Sequence, residues 1–155
     1  MKVSDILRVK GGTLYTCQPE ESLERAVQTM SDYDIGSLAV MDHGELVGML
    51  TFREVIHTLA KNGGALNGKT VRTVMDDHPM SCTPQTELDE VRPMMLERHT
   101  RYMPVMDNRM LMGVISFYVV ATAVVDSLNF ENKMLKAYIR DWPEEEGTAP
   151  AETAK

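Results

Sequence analysis

Cysteine, aromatic side chains and positive charge are all scarce in this sequence of 155 residues. Two cysteines, Cys17 and Cys82, are too few for a disulfide framework and favour a reducing compartment with both thiols free. The formal net charge of −7 argues against bulk attraction to nucleic acid. The most apolar run, residues 119–125, is far too short to span a bilayer, and the first ten residues are too polar for a secretory signal. We therefore expect a cytoplasmic protein with no nucleic-acid partner and no membrane partner.

Recognisable catalytic arrangements are missing as well. The sequence has no Ser-His-Asp order, no Walker loop, no dinucleotide-binding Gly-x-Gly-x-x-Gly and no paired catalytic carboxylates. Its four histidines are scattered without the spacing of metal ligands. These observations predict a protein that is not an enzyme and that requires no metal.

What the sequence does contain is one stretch that occurs twice. The first copy, Val40 to Val55, reads VMDHGELVGMLTFREV, and the second, Val105 to Val120, reads VMDNRMLMGVISFYVV. Their glycines, Gly48 and Gly113, are 65 positions apart, and so are the hydroxyl residues three positions later. A repeat of this length indicates one supersecondary unit used twice, with two units packed together to bury a shared core.

The pattern around each copy predicts the same order of elements. A short strand precedes an amphipathic helix, which Ser22 caps in the first copy, and then come two strands joined by a tight turn and a second helix. The predicted fold class is α/β (α+β): two β-α-β-β-α repeats packed as a pseudo-twofold pair, with an extended C-terminal helix. The boundaries that we expect are repeat 1 at 1–64, a linker at 65–69, repeat 2 at 70–128, a helical extension at 129–142 and a disordered acidic tail at 143–155.

Two motifs inside the repeats resemble a known family. The sequence GMLTFRE at Gly48–Glu54 and its counterpart GVISFYV at Gly113–Val119 resemble the glycine-hydroxyl motif of the CBS domain. The sequence RYMPVMD at Arg101–Asp107 resembles a second feature of that family. The tandem pair, from about Val3 to Leu128, is similar to a Bateman module of the stand-alone bacterial type.

The resemblance implies a function and an assembly. It implies binding of an adenosine-containing nucleotide, namely AMP, ADP, ATP or NAD, with S-adenosylmethionine ranked below these. It also implies a homodimer formed through the CBS helices, for which the apolar segments 55–59 and 120–125 are the expected surface. We expect the regulatory output to lie in another chain or in the assembly itself.

Elementary chemistry gives these motif residues their roles. Thr51 and Ser116 each precede a helix, where free backbone N–H groups attract a phosphate. Glu54 stands at the family's ribose position, although it is equally suited to be a first-turn helix charge, and Arg101 suits phosphate oxygens. The binding residues that the resemblance implies are Thr16, Pro19, Gly48, Thr51, Arg53, Glu54, Thr83, His99, Arg101, Tyr102, Met103, Pro104, Ser116 and Tyr118.

The two copies differ where the ligand chemistry is concentrated. Val119 replaces the carboxylate in the second copy, and Gly36 stands where the first copy would have an arginine like Arg101. Because Glu54 occurs in one copy only and Arg101 in the other, we expect two unequal clefts. Two interpretations stay open: a ligand-sensing regulatory module, or a structural dimer or adaptor whose clefts have decayed.

Overall fold

A computed structural model of the chain describes residues 1–10 and 14–140. In the first half it contains helix α1 (Val3–Lys10), strand β1 (Thr16–Cys17), helix α2 (Leu23–Asp32), strands β2 (Ser37–Asp42) and β3 (Glu45–Thr51), and helix α3 (Phe52–Lys61). In the second half it contains helices α4 (Val71–Val74) and α5 (Leu88–Arg98), strands β4 (Tyr102–Asp107) and β5 (Met110–Ser116), and helix α6 (Phe117–Arg140). The order predicted from the sequence is confirmed: an α/β fold with the same strand-helix-hairpin-helix unit used twice.

The two halves build their sheets in the same way. Strands β2 and β3 are antiparallel, β4 and β5 are antiparallel, and both pairs have a register shift at the same point of the repeat. Strand β1 pairs in parallel with β2, whereas in the second half a single bridge between Cys82 and Val105 takes the place of β1. The turn between β2 and β3 has positive φ at His43 (51°) and Gly44 (80°), which matches the twist of a tight hairpin.

The helix that leads each repeat packs against the other repeat. In α1, the backbone N–H of Val3 donates to the carbonyl of Thr86 at 2.9 Å. The equivalent bond in α4 runs from the N–H of Val71 to the carbonyl of Glu21, also at 2.9 Å. This exchange ties the two repeats together, because each lead helix forms backbone hydrogen bonds with the other repeat.

The core of the first repeat lies between α2, α3 and the sheet. Leu23, Leu38 and Leu50 have no exposed surface and belong to one apolar cluster. Helix α2 begins where the sequence predicts, since Ser22 accepts a hydrogen bond from the N–H of Arg25 at 3.2 Å. The 3.6-residue spacing of its apolar positions therefore sets the face that α2 buries.

Part of the surface that we expected at the dimer contact lies inside the fold. Val55 and Val120 are 8 % and 0 % exposed, so their assignment to an exposed apolar face is wrong. Val55 belongs to the same core cluster as Leu38, because it lies on the face of α3 that packs on the sheet. Phe52 and Ile56, on another side of α3, are 50 % and 61 % exposed.

The chain separates into two compact units with the boundary after Ala121. The first unit, Met1–Ala121, contains both sheets and helices α1 to α5. Helix α6 continues to Arg140, and the predicted acidic tail at 143–155 lies outside the described residues. Among the described helices, none is long and apolar enough to cross a membrane.

Candidate functional site

A cleft of about 500 Å³ opens between the two repeats. One wall comes from the end of β3 and the start of α3, and the other comes from the end of α5 and the start of β4. Its lining residues are Met49, Thr51, Phe52, Arg53, Glu54, Ile56, His57, Asp76, Pro79, Met80, Met95, Leu96, His99, Thr100, Arg101, Tyr102 and Phe117. Six of the residues predicted from the sequence therefore meet here, namely Thr51, Arg53, Glu54, His99, Arg101 and Tyr102.

The first wall is fixed by a capping box at the start of α3. The carboxylate Oε1 of Glu54 accepts from the backbone N–H of Thr51 at 2.7 Å and from the Thr51 hydroxyl at 2.8 Å. The Thr51 hydroxyl in turn accepts from the N–H of Arg53 at 3.2 Å. Threonine followed three residues later by glutamate is the sequence signature of this motif. It holds the Glu54 carboxylate on the wall of the cleft, with Oε1 engaged and Oε2 still able to accept hydrogen bonds.

The second wall is positioned by the turn that ends α5. His99 adopts a left-handed conformation with φ of 53°, and its N–H donates to the carbonyl of Leu96 at 3.3 Å. The next N–H, of Thr100, donates to the carbonyl of Met95 at 2.9 Å. This closes the helix with its last carbonyls paired and leads the chain through Arg101 into β4.

Glu54 and Arg101 line the same cleft, although they come from different copies of the repeat. The fold builds this cleft from repeat 1 on one wall and repeat 2 on the other. No carboxylate in the described part of the chain forms an ion pair with Arg101. The guanidinium is therefore available for an anion, beside a carboxylate that suits hydroxyl groups.

The sequence profile of the CBS domain matches residues 3–61 and 71–126, one match for each repeat. The chain belongs to the CBS-domain family. This confirms the family that the motifs indicated, and both matches include the lead helices that the fold exchanges between the repeats.

Several proteins with CBS repeats are similar over most of the chain. A mitochondrial CBS domain-containing protein of Arabidopsis thaliana, CBSX3, is 26 % identical over 147 residues, which cover 89 % of this chain and 71 % of the relative. The crystal structure of the CBS-domain protein ATU1752 from Agrobacterium tumefaciens is 29 % identical with a TM-score of 0.75, covering 79 % of this chain and 98 % of the other. The CBS pair of protein MJ0100, solved with 5′-methylthioadenosine and S-adenosylmethionine, is 23 % identical with a TM-score of 0.72, covering 82 % of this chain and 98 % of the other.

The CBS glycine Gly48 has a packing role that the sequence did not reveal. A Cβ at this position would lie 2.7 Å from the backbone carbonyl oxygen of Asp76 and 2.7 Å from Sδ of Met75. The missing side chain allows the segment after α4 to join β3, where Met49 and Asp76 exchange two backbone hydrogen bonds of 2.9 Å. The space above Gly48 is thus filled by the protein itself, and the glycine brings Asp76 to the edge of the cleft.

The remaining predicted residues of the CBS pair do not line this cleft. Met103 is fully buried in the core. The Ser116 hydroxyl accepts a hydrogen bond from the N–H of Val119 at 3.1 Å. Thr83 is held in a turn, where its N–H donates to the Thr86 hydroxyl at 3.0 Å. The predicted residues outside the cleft are Thr16, Pro19, Gly48, Thr83, Met103, Pro104, Ser116 and Tyr118. Their contact with a ligand stays a prediction.

Several lining residues of the CBS cleft were missed by sequence reasoning. Phe52 and Phe117 occupy equivalent positions in the two motifs, and both line the cleft. The repeat was therefore a signal that could have indicated both residues. Asp76, Pro79 and Met80 come from the segment after α4, which the sequence marks only as a connection. They reach the cleft because α4 packs on the other repeat, a tertiary feature with no local sequence pattern.

Neither thiol of the CBS pair is suited to covalent chemistry. Burial raises the pKa of Cys17 to about 12, with a smaller contribution from the negative charge of Glu21. Burial also raises the pKa of Cys82 to about 11. Both residues therefore stay protonated at neutral pH and behave as small core side chains. Among the described residues, no group of His, Cys, Asp and Glu side chains is arranged to hold a metal ion.

Proposed function

We propose that this CBS pair is a regulatory module that binds an adenosine-containing nucleotide, AMP, ADP, ATP or NAD, in the cleft between its repeats. One observation carries the proposal: a single cleft is lined by a carboxylate at a helix N-terminus, Glu54, and by an arginine that forms no ion pair with any described residue, Arg101. The two groups match the two polar parts of a nucleotide, because a carboxylate accepts from ribose hydroxyls and an arginine binds phosphate.

The lining of the cleft suggests how the nucleotide would lie. Met49 and Met95 are almost fully buried beneath it, and the side chains of Phe52 and Phe117 add aromatic surface. Adenine packs on this apolar floor, the ribose hydroxyls donate to Glu54, and the phosphate lies near Arg101 and the start of α3.

Comparison with MJ0100 supports the class of ligand, since both molecules named in its crystal structure contain adenosine. The positively charged side chains of this cleft narrow the choice among adenosine-containing ligands. Arg53 and Arg101 both line it and favour a ligand with an anionic phosphate. S-adenosylmethionine carries a cationic sulfonium where a nucleotide carries phosphate, so it ranks below AMP, ADP, ATP and NAD.

We further propose that each chain binds one nucleotide. The 65-residue repeat relates Glu54 to Val119 and Arg101 to Gly36. Because Glu54 and Arg101 share one cleft, Val119 and Gly36 fall together in its symmetry-related counterpart, which lacks both polar groups. A side chain at Gly36 would also overlap the phenol of Tyr102, so an arginine does not fit there without rearrangement.

A ligand in this cleft touches both repeats, which gives it a route to regulation. Binding that favours one relative position of the repeats shifts the population of that state, and a partner protein that prefers the same state then binds more tightly. We propose that the module acts as a homodimer formed through its CBS helices. Light scattering at micromolar concentration should give twice the chain mass of 17.4 kDa, and a stable monomer would exclude this assembly.

A thermal-shift panel of AMP, ADP, ATP, NAD and S-adenosylmethionine tests the proposal. A ligand at 100 times its dissociation constant stabilises the folded state by about 2.7 kcal/mol. For a chain of this size, that corresponds to a rise of roughly 5–10 °C in melting temperature. If millimolar concentrations of all five leave the melting temperature unchanged, the cleft is not a nucleotide site and the module is a ligand-free structural dimer.

A further inference from the structure

A second groove runs beside α3, on the side where this helix meets α4. It has a volume of about 440 Å³ and is lined by Arg53, Glu54, His57, Thr58, Lys61, Asn62, Lys69, Thr73 and Val74. We call it the basic groove. Two of its lining residues, Arg53 and Glu54, are among the binding residues predicted from the sequence, and the others are not.

The basic groove reverses the charge of the molecule locally. The whole chain carries a formal charge of −7, yet Arg53, Lys61 and Lys69 face a single carboxylate here. In the described part of the chain none of these three cations forms an ion pair, whereas Arg72 of α4 binds Glu20 at 2.7 Å. The one carboxylate of the groove, Glu54, already uses Oε1 in the capping box. Positive charge therefore collects in a concave site with little internal compensation, which attracts anions.

The basic groove is continuous with the nucleotide cleft. Arg53, Glu54 and His57 line both. Arg53, His57 and Lys61 follow one another at four-residue intervals, so they form a single row along α3. With a rise of about 1.5 Å per residue, this row extends roughly 12 Å along the helix, from Arg53 to Lys61. A ligand seated in the cleft can thus extend past Arg53 and His57 into the groove.

We propose that the basic groove binds phosphate groups of a polyphosphorylated ligand, through Arg53, Lys61 and Lys69. We expect these phosphates to be the second and third phosphates of a nucleotide held in the cleft, and this part of the inference rests on the proposed function. The same chemistry accommodates a free inorganic polyphosphate, and the two sources are separated by experiment. The first source makes the module prefer ATP to AMP, because AMP has no phosphate that reaches the lysines.

The test measures the dissociation constants of adenosine, AMP and ATP by calorimetry for the wild type and for Lys61→Gln, Lys69→Gln and the double variant. Glutamine keeps most of the side-chain length and removes only the charge. Each exposed ion pair is worth about 0.2–1 kcal/mol, so the double variant should bind ATP about fivefold more weakly, with adenosine and AMP unchanged. Arg109→Gln is the matched control, since Arg109 is exposed, lies in the turn before β5, and lines neither the cleft nor the groove.

A parallel titration with inorganic tripolyphosphate, on protein saturated with AMP, identifies a free anion as the source. Loss of tripolyphosphate binding in the double variant, with ATP and AMP bound equally well, would support the groove with that source. If the two lysine changes alter neither ATP nor tripolyphosphate binding, or if Arg109→Gln has the same effect as they do, the inference is overturned. Failure of the wild type to bind any adenosine compound would instead count against the proposed function, and the tripolyphosphate titration would still test the groove.

Discussion

Replacement of Glu54 separates the capping role of this residue from its proposed ligand role. Glu54→Ala removes both hydrogen bonds from Thr51 to Oε1, of 2.7 and 2.8 Å, and so uncaps α3. Losing a cap costs about 1 kcal/mol of unfolding free energy, or roughly 2–4 °C in melting temperature for a chain of this size. If the carboxylate also holds the ribose, losing a hydrogen bond to a charged group costs about 1.5–3 kcal/mol of binding, which is roughly a 10- to 150-fold rise in Kd.

Glu54→Gln makes the distinction sharper, because glutamine also completes a capping box. The melting temperature of this variant should stay near that of the wild type. A neutral hydrogen bond is weaker than a charged one by about 1 kcal/mol, so its AMP affinity should fall about fivefold. Glu24→Ala, which removes an exposed first-turn carboxylate from α2, is the control for net charge. The AMP affinity of each variant is measured by calorimetry at 25 °C, where every variant is folded. Unchanged AMP affinity in both Glu54 variants would show that the carboxylate is only a helix cap.

Three further changes test other parts of the structure. Gly48→Ala should destabilise the fold by about 1–3 kcal/mol in a denaturant titration, since the new Cβ meets a backbone carbonyl oxygen at 2.7 Å. Gly113→Ala should cost less, because its Cβ meets a flexible leucine methyl at 2.9 Å. Equal losses of unfolding free energy in the two variants would contradict this. Arg101→Ala should weaken AMP binding at least tenfold and leave adenosine binding nearly unchanged, and equal losses for both would show that Arg101 does not contact phosphate. Cys17 and Cys82 should resist alkylation at pH 8 while the protein is folded. Because burial raises both thiol pKa values from 9.0 to about 12 and about 11, the unfolding free energy should fall as pH rises above 9, and a flat profile would contradict their burial.

The sequence specifies the repeat and its local structure well. Ser22 and Thr51 are predicted as helix caps from their position before an apolar periodic segment, and both accept the expected backbone N–H. The hairpins follow from alternating apolar residues around a tight turn. These features depend on neighbours within a few positions in the chain, which is why residue patterns reveal them.

The composition of the cleft depends on packing between distant segments, and the sequence alone did not reveal it. Helices α1 and α4 each pack on the other repeat through backbone bonds, and a backbone bond leaves no residue signature. The same exchange places Asp76 at the cleft and joins Glu54 to Arg101 in one site. The difference between the copies was visible at Gly36 and Val119, but the proposal of one complete cleft beside an incomplete one required the fold.

In the proposed function, the ligand controls the relative position of the two repeats. The capping box holds the wall that carries Glu54 at the start of α3, and the wall that carries Arg101 begins at the turn after α5. A nucleotide that contacts both walls favours one distance between them. The free energy of this shift is at most the difference between the nucleotide's binding free energies for the two positions of the repeats. We propose that a partner chain in contact with both repeats senses the nucleotide without touching it.

The number of nucleotides bound by each chain tests the single-cleft proposal most directly. Calorimetric titration of the wild type with AMP, at protein concentrations above the dissociation constant, should give one site per chain. The double variant Glu54→Ala with Arg101→Ala should give no measurable heat of binding while remaining folded by circular dichroism. Two sites per chain in the wild type, or one undiminished site in the double variant, would contradict a single nucleotide cleft lined by Glu54 and Arg101.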